Sequence, residues 1–444
     1  MNKQTISAPS AASLNFLEYQ RILVQAHLAV ARGDEAEADR LRDRSDEIAE
    51  DLTWEETRWL HGLSGDLFML TGEEIPERSD LPTSNLLLTL RDATFRMDGN
   101  TMLRLLRQGP NLPPKHIAYL RSNAYDHLGF TETSLAFMRH AVKLAPEDDQ
   151  YVCLILERLN RLGRLDEARE MALASLDRSV ISDDLVIFAA GTLLSSARGL
   201  DEAAAHPLCE RAVKVLDPLL SSPERVTELG LQEHFYALIT LGCCSKLMGD
   251  MVKARDAFSA LLAVEPTNPD FLVLRGEASL EEDRAQALSD FTLAVSHNAR
   301  QSTPYFILAH EELMEGRYSR CQQLCQSLIA LPGVSPAVLS MALEFQAVCY
   351  FYTDQPAALV RETFLNAIEI NPDSERLRQL AQAFFADLDA GQPRNNDLSL
   401  PDLVHSEHQE SEFVVAMQRS ARADAYETSA RFMPGSQRET VGAV

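Results

Sequence analysis

The sequence predicts an all-α chain, a right-handed solenoid of antiparallel helix pairs stacked on one another. Three observations carry that expectation. Glycines that close a first helix recur at a fixed spacing, Gly163 falling 34 residues after Gly129. Apolar residues between them keep the three- and four-residue intervals of a helix face rather than the alternation of a strand. Prolines stand after the second run of each pair, at Pro146, Pro266 and Pro372, where a helix must stop.

Composition bounds the alternatives. The 444 residues would suit several ordinary domains, but a repeat array grows lengthwise without splitting into separate cores. Hydrophobic residues at 45% and charged residues at 24% fit neither wholesale disorder nor a membrane bundle. The formal charge of −25 repels phosphate backbones and anionic lipid, so neither nucleic acid nor a membrane surface is an expected partner. The opening MNKQTISAPSAASLNFLEYQ lacks the unbroken apolar stretch of a signal peptide, and no export signal is expected. Seven scattered cysteines, an odd number, suggest free thiols in a reducing compartment, with the cytoplasm as the expected location.

From the N-terminus, residues 14–32 form a helical run, followed by Gly33 and a second, acidic and basic helix through Glu50. Together they read as a degenerate first pair that caps the array. Residues 53–71 hold both tryptophans, and Thr53-x-x-Glu56 is a capping box at a helix start. Trp59, Leu63 and Leu67 recur every four residues, as core packing requires. Residues 71–83 read as a loop, and two short helices follow over 84–97 and 100–108. The chain therefore divides into an N-terminal helical region over 1–113, a regular array over 114–390 and a tail over 391–444.

Within the array each landmark has a physical task. The turn glycine supplies a left-handed cap, letting the chain reverse at once. A small residue opening the second helix (Ala168, Ala203, Ala254, Ala287) lets two helices approach, and Phe258 or Phe291 one turn later fills the space beside the next pair. The clearest unit, residues 235–270, carries Leu238, Leu241, Gly242, Gly249, Ala254, Phe258 and Pro266 together. Gly316 lies 67 residues beyond Gly249, one short of two periods. Residues 185–197 are apolar but too short to span a bilayer, and read as a buried core helix. Two departures stand out. Ala203 and Ala254 are 51 residues apart, so residues 204–234 carry an insertion, either a lengthened second helix or an added one. The final pair, residues 341–372, has TDQPAA where a turn glycine is expected. After Ala390 the chain turns polar, GQPRNNDLSLPDLVHSEHQESE, which reads as a disordered linker. Residues 412–431 then either form a short amphipathic helix or stay unfolded.

The order of Gly, Ala, aromatic and Pro landmarks resembles the tetratricopeptide repeat family, over residues 114–390 and more weakly back to Leu14. The resemblance implies that first helices line a concave groove in which a partner peptide lies. On that alignment the groove residues are Tyr119, Asn123, Asp126, Glu157, Tyr236, Cys243, Lys246, Glu277, Phe306 and His310. A paired Lys and Asn clamp for a terminal carboxylate is doubtful, because Tyr119 stands where the lysine would be. Aromatic residues beside acids suit an extended peptide with apolar anchors and some basic character.

Chemistry-bearing motifs are scarce. There is no P-loop, H-E-x-x-H, G-x-S-x-G or dinucleotide fingerprint. Cys321 and Cys325 share one helical face at repeat packing positions, which favours buried core over metal; Cys243 and Cys244 point to different faces. His405-x-x-His408 lies in an acidic stretch with no cysteine near it, and is not taken as a metal site. The expected protein is an acidic, non-catalytic scaffold that needs no cofactor and binds a protein or peptide. The alternatives are a regulatory or chaperone module of a secretion or transcription complex, and an enzyme with a site between helices.

Overall fold

A computed structural model describes residues 13–72, 83–198 and 200–390, and every regular element among them is an α-helix. These residues divide into two compact units, the boundary falling between Gly163 and Arg164. The polar tail, His405, His408 and residues 412–431 lie outside the described residues, as do residues 73–82 of the expected loop.

The first unit holds α1 (Leu14–Arg32), α2 (Glu35–Ala49), α3 (Trp54–Thr71), α4 (Thr83–Phe95), α5 (Gly99–Leu106), α6 (Pro114–His127), α7 (Thr131–Leu144) and α8 (Asp149–Arg161). Helix α1 starts where the Ser13 hydroxyl accepts the Phe16 N–H, and ends at Gly33 with φ 78°. The capping box at α3 forms as the sequence predicts. The Thr53 side chain accepts from the Glu56 N–H, and the Glu56 carboxylate accepts from the Thr53 N–H at 2.9 Å. That carboxylate also accepts the Ser13 N–H at 3.1 Å, so one acid fixes the starts of both α1 and α3. The core is aromatic: Trp59 lies 5.4 Å from Phe16 and 4.6 Å from Phe130, and Tyr125 stacks on Phe137 at 5.5 Å.

The second unit holds α9 (Leu165–Leu176), α10 (Asp183–Ala197), α11 (Glu202–Leu220), α12 (Pro223–Glu228), α13 (Leu231–Leu247), α14 (Met251–Val264), α15 (Pro269–Ser279), α16 (Arg284–Ser296), α17 (Ser302–Met314), α18 (Tyr318–Ile329), α19 (Pro336–Tyr352), α20 (Ala357–Ile370) and α21 (Glu375–Ala390). Successive helices pair as α10 with α11, α13 with α14, α15 with α16, α17 with α18 and α19 with α20. These are tetratricopeptide-like antiparallel pairs.

One packing rule recurs along the second helices. The fourth and eighth residues past the N-cap are buried: Ala254 and Phe258 after Asp250, Ala287 and Phe291 after Asp283, Val360 and Phe364 after Pro356. Where the bulky residue is phenylalanine, the first helix can carry a glycine to receive it. A Cβ on Gly242 would stand 2.4 Å from Phe258, and one on Gly276 would stand 2.6 Å from Phe291. The rule corrects one assignment. Helix α11 is capped by Asp201, so its small residue is the buried Ala205, whereas Ala203 is exposed. The cap, not the apparent alanine pattern, sets the phase.

The insertion resolves into both of its alternatives. Helix α11 runs for 19 residues through Pro207 and Pro218, and the six-residue α12 follows it. Arg225 of α12 forms an ion pair with Asp183 at the start of α10. At the last turn, Asp354 adopts φ 55°, the left-handed position that Gly249 and Gly316 take in the α13–α14 and α17–α18 turns.

Candidate partner-binding faces

In the first unit, Tyr119, Asn123 and Asp126 follow one another up α6, all half-buried. Each meets a residue of α8 about one repeat further along the chain. The Tyr119 and Tyr151 rings lie 5.8 Å apart. The Asn123 carbonyl oxygen accepts from Arg158 Nη2 at 3.2 Å. The Asp126 carboxylate accepts from Arg161 at 2.6 Å and lies 3.5 Å from Arg158. Arg158 also donates inward, to the Ser122 hydroxyl and to Ser134 Oγ at 2.5 Å. Burial pulls its pKa below the usual arginine value, and Asp126 opposes that shift. Glu157 is half-buried on the same helix.

In the second unit the pattern of one-repeat partners continues, with deeper burial. Lys246 of α13 forms an ion pair with Glu277 of α15, the two side chains being 12% and 3% exposed. Burial raises the Glu277 carboxyl above its usual range, and the Lys246 charge restrains the rise. Glu344 of α19 is paired the same way with Arg376 of α21, at 2.8 Å. Phe306 stacks on Phe345 at 5.7 Å, and His310 lies 5.9 Å from the same ring.

Three expected groove residues are fully buried in the packing. Tyr236 is fully buried, its hydroxyl lying where a Cβ on Gly191 would stand, and its ring 6.2 Å from Phe188. Phe306 is likewise fully buried. Cys243, also aligned with the groove, is inside, and burial pushes its thiol up to about 12. Helical spacing places these residues on the first helices of their pairs. It did not distinguish the exposed rim from the strip pressed against the neighbouring pair.

A dense polar cluster in the first unit escaped the sequence reading. Asp66 of α3 is 1% exposed and accepts from Arg107 Nη2 at 2.7 Å and from the Tyr125 hydroxyl at 2.6 Å. It also lies 3.1 Å from Arg121, which donates to the Asp66 carbonyl at 3.1 Å. Gly62 leaves space for the Arg107 guanidinium, since a Cβ there would lie 2.8 Å from Nη1. Burial lowers and Asp66 raises the Arg107 pKa, the carboxylate winning. Its members come from three separated segments, and no spacing announces them. The same unit has a cleft of about 360 Å³ lined by Tyr19, Leu23, Leu52, Thr57, His61, Ser64 and Phe68.

The class this fold defines is a tetratricopeptide-like helical-repeat protein. No protein-family model and no curated protein matches the chain. Among solved structures it is similar to the C-terminal part of a TPR repeat-containing protein from Cytophaga hutchinsonii, with 14% identity over 67% of this chain and 98% of that one, at a TM-score of 0.34. It is also similar to a human IFIT1 dimer with m7Gppp-AAAA, with 14% identity, 94% and 96% of the two chains covered and a TM-score of 0.37. A third similar structure is the APC/C Cut9-Hcn1 hetero-tetramer, with 13% identity over 96% and 95% of the two chains and a TM-score of 0.26. Among the described residues, no helix is long and apolar enough to cross a membrane, and no group of three or more His, Cys, Asp or Glu side chains is placed to hold a metal ion.

Proposed function

We propose that the protein is a non-catalytic interaction adaptor that grips an extended peptide or helix of a partner protein along the first helices of its pairs. The observation that carries this reading is the α6–α8 face of the first unit. Tyr119 stands there half-buried beside Tyr151, with Asn123, Asp126 and Glu157 on the same face. Arg158 and Arg161 hold the α6 side chains in fixed positions, which reduces the entropy lost when a partner is bound. Tyrosine supplies large contact area for little conformational cost, and the adjacent acids favour a partner with basic residues. In the second unit Lys246, Glu277 and His310 offer the corresponding, less exposed face.

A pull-down from native lysate identifies the partner, and titration of the purified pair by calorimetry tests the face. Tyr119→Ala is expected to weaken binding at least about tenfold, the loss of one well-placed aromatic anchor. Equal affinity for the variant removes this face from the binding site. The charge of −25 opposes a phosphate backbone, so nucleic acid is not the expected partner. Filter binding with a short capped RNA, the kind of ligand present in the IFIT1 structure, should give no salt-sensitive retention.

A further inference from the structure

Helix α3 spends only one side on the core of the first unit. Trp59, Leu63 and Leu67 are buried on that side, and the opposite side carries Trp54, Arg58, His61, Gly65 and Phe68. Successive members of this stripe are four, three, four and three residues apart, the spacing by which one helix offers a seam to another. Trp54 is 70% exposed, with the Arg58 guanidinium 5.1 Å from its ring centre. Phe68 is 42% exposed, and the edge-on His27 ring fixes it from 5.1 Å. The 360 Å³ cleft opens along this stripe, walled by Tyr19 and Leu23 of α1 and by Ala49 and Leu52 at the end of α2.

Glycine is among the least favourable residues inside a helix, so each of the two in the middle of α3 calls for a cause. Gly62 has one within the fold, since its missing side chain makes room for Arg107. Gly65 has none, because a Cβ there would meet no neighbouring side chain or helix within 4 Å. Its bare backbone instead forms part of the cleft lining, where an incoming group can lie directly against the helix.

On the adaptor reading above, we propose that this stripe is a second contact face, which receives a basic amphipathic helix of the partner protein and seats one of its bulky apolar side chains in the cleft over Gly65. The stretch from Trp54 to Phe68 amounts to about 21 Å of helix axis, enough for roughly four turns of a partner helix. Leu23, Leu52, Leu60 and Phe68 surround the seated side chain, and Tyr19, His61 and Ser64 add polar atoms to the lining. Charge selects the sign of the partner. From Asp46 to Glu55 the chain has five acids and no base, and Glu50 and Asp51 stand between the lining residues Ala49 and Leu52. Asp51 is held beside α1 by Asn15 at 3.2 Å, one turn before Tyr19. The carbonyl end of α2 adds to the negative potential there. The nearest bases along the chain are engaged, Arg44 with Glu18 and Arg58 over Trp54. Lysine or arginine beside the apolar seam of a partner helix therefore meets this edge favourably, whereas an acidic helix is repelled.

The probe is an acetylated, amidated peptide of about five helical turns, with leucine along one seam and lysine on both flanks. Its counterpart has glutamate for every lysine. Neither contains tryptophan, so the full chain reports contact itself: Trp54 is 70% exposed and Trp59 is 3% exposed. The lysine peptide should shield Trp54 from acrylamide quenching, and the glutamate peptide should bind at least about tenfold more weakly. Gly65→Leu fills the cleft and should weaken the lysine peptide at least about tenfold, without lowering the melting temperature. Trp54→Ala, read by anisotropy of the labelled peptide, should weaken it several-fold, and it decides the matter if Gly65→Leu melts lower. Both variants keep the charge of −25, so general attraction to an acidic protein predicts no change in either. No shielding of Trp54, equal affinity for the two peptides, or undiminished binding by both variants would overturn the proposal. Binding lost in Tyr119→Ala but kept in the α3 variants would put the peptide on the α6–α8 face, overturning the second face and leaving the adaptor reading intact. A dimer that forms without peptide and is lost in Trp54→Ala, seen by sedimentation, would make a second copy of the chain the occupant and overturn the proposal likewise.

Discussion

The first unit concentrates its buried charge, whereas the second distributes it. In the first, Asp66 gathers Arg107, Arg121 and Tyr125, and Asp126 gathers Arg158 and Arg161. In the second, Lys246 with Glu277 and Arg376 with Glu344 are separate pairs, each spanning about one repeat. Asp290 takes Arg275 and Glu312 takes Arg317 and Arg320 further along the unit, and size-matched contacts such as Gly242 with Phe258 stand beside these pairs. The difference follows from regularity. A repeated pair can reuse one packing solution, while the irregular meeting of α3, α5 and α6 must satisfy buried polar groups as a network. Members of a network depend on one another, so removing one should cost more than removing half of an isolated pair.

The comparison can be broken most severely at the packing rule. Ala254→Arg forces a charge into a fully buried position between closely packed helices, and should abolish the cooperative melting of the second unit while sparing the first. An unchanged melting curve would show that the register is wrong. Next in size is Asp66→Ala, which leaves Arg107 and Arg121 facing each other without a counter-charge and should cost about 3–5 kcal/mol in the first unit. Denaturant unfolding monitored by tryptophan fluorescence reports that unit alone, because Trp54 and Trp59 both lie within it.

Lys246→Met tests the isolated pair, with an expected loss of about 1–3 kcal/mol at neutral pH. Its sign with pH is distinctive. Glu277 already has a raised carboxyl, and losing Lys246 raises it further, so the folded state binds a proton more tightly than the unfolded state. The variant should regain stability as pH falls through that folded value. Urea midpoints measured across acidic pH should therefore draw the variant closer to the parent.

Glu56 gives the opposite sign. Burial raises its pKa, but hydrogen bonds from Thr53 and Ser13 outweigh that and hold it down to about 2, from an ordinary 4.5. Its contribution is fully present above pH 4.5 and is lost as pH falls toward 2. Thr53→Ala should cost about 1 kcal/mol and flatten that acid dependence in tryptophan-detected melts. Smallest of all, Arg40→Ala removes an exposed pair with Glu37 and should change stability by less than about 0.5 kcal/mol.

Much of the repeat was legible because its causes are local. A turn glycine, a proline stop or a Thr53-x-x-Glu56 box acts within one helix turn, and the structure has the capping box in place. The small residue of α11 was misjudged by two positions because its phase is set by the Asp201 cap, which the alanine-rich stretch conceals. Burial of the candidate face residues was not legible in the sequence. Tyr236 and Phe306 are both fully buried, with Phe188 and Phe345 of neighbouring pairs beside their rings. Asp126 and Arg158 are likewise about one period apart, a relation that becomes a contact only when two helices adopt a common register.

By itself, the sequence determined the helical class, the repeat of paired helices and the place where the period fails, because each depends on backbone preferences and short-range periodicity. The tertiary structure alone decided the Asp66 cluster and the one-repeat ion pairs. Those depend on side chains from distant segments meeting at hydrogen-bond distance. A charge acquires its burial and its partner only from that meeting, and no residue's identity or spacing encodes it in advance.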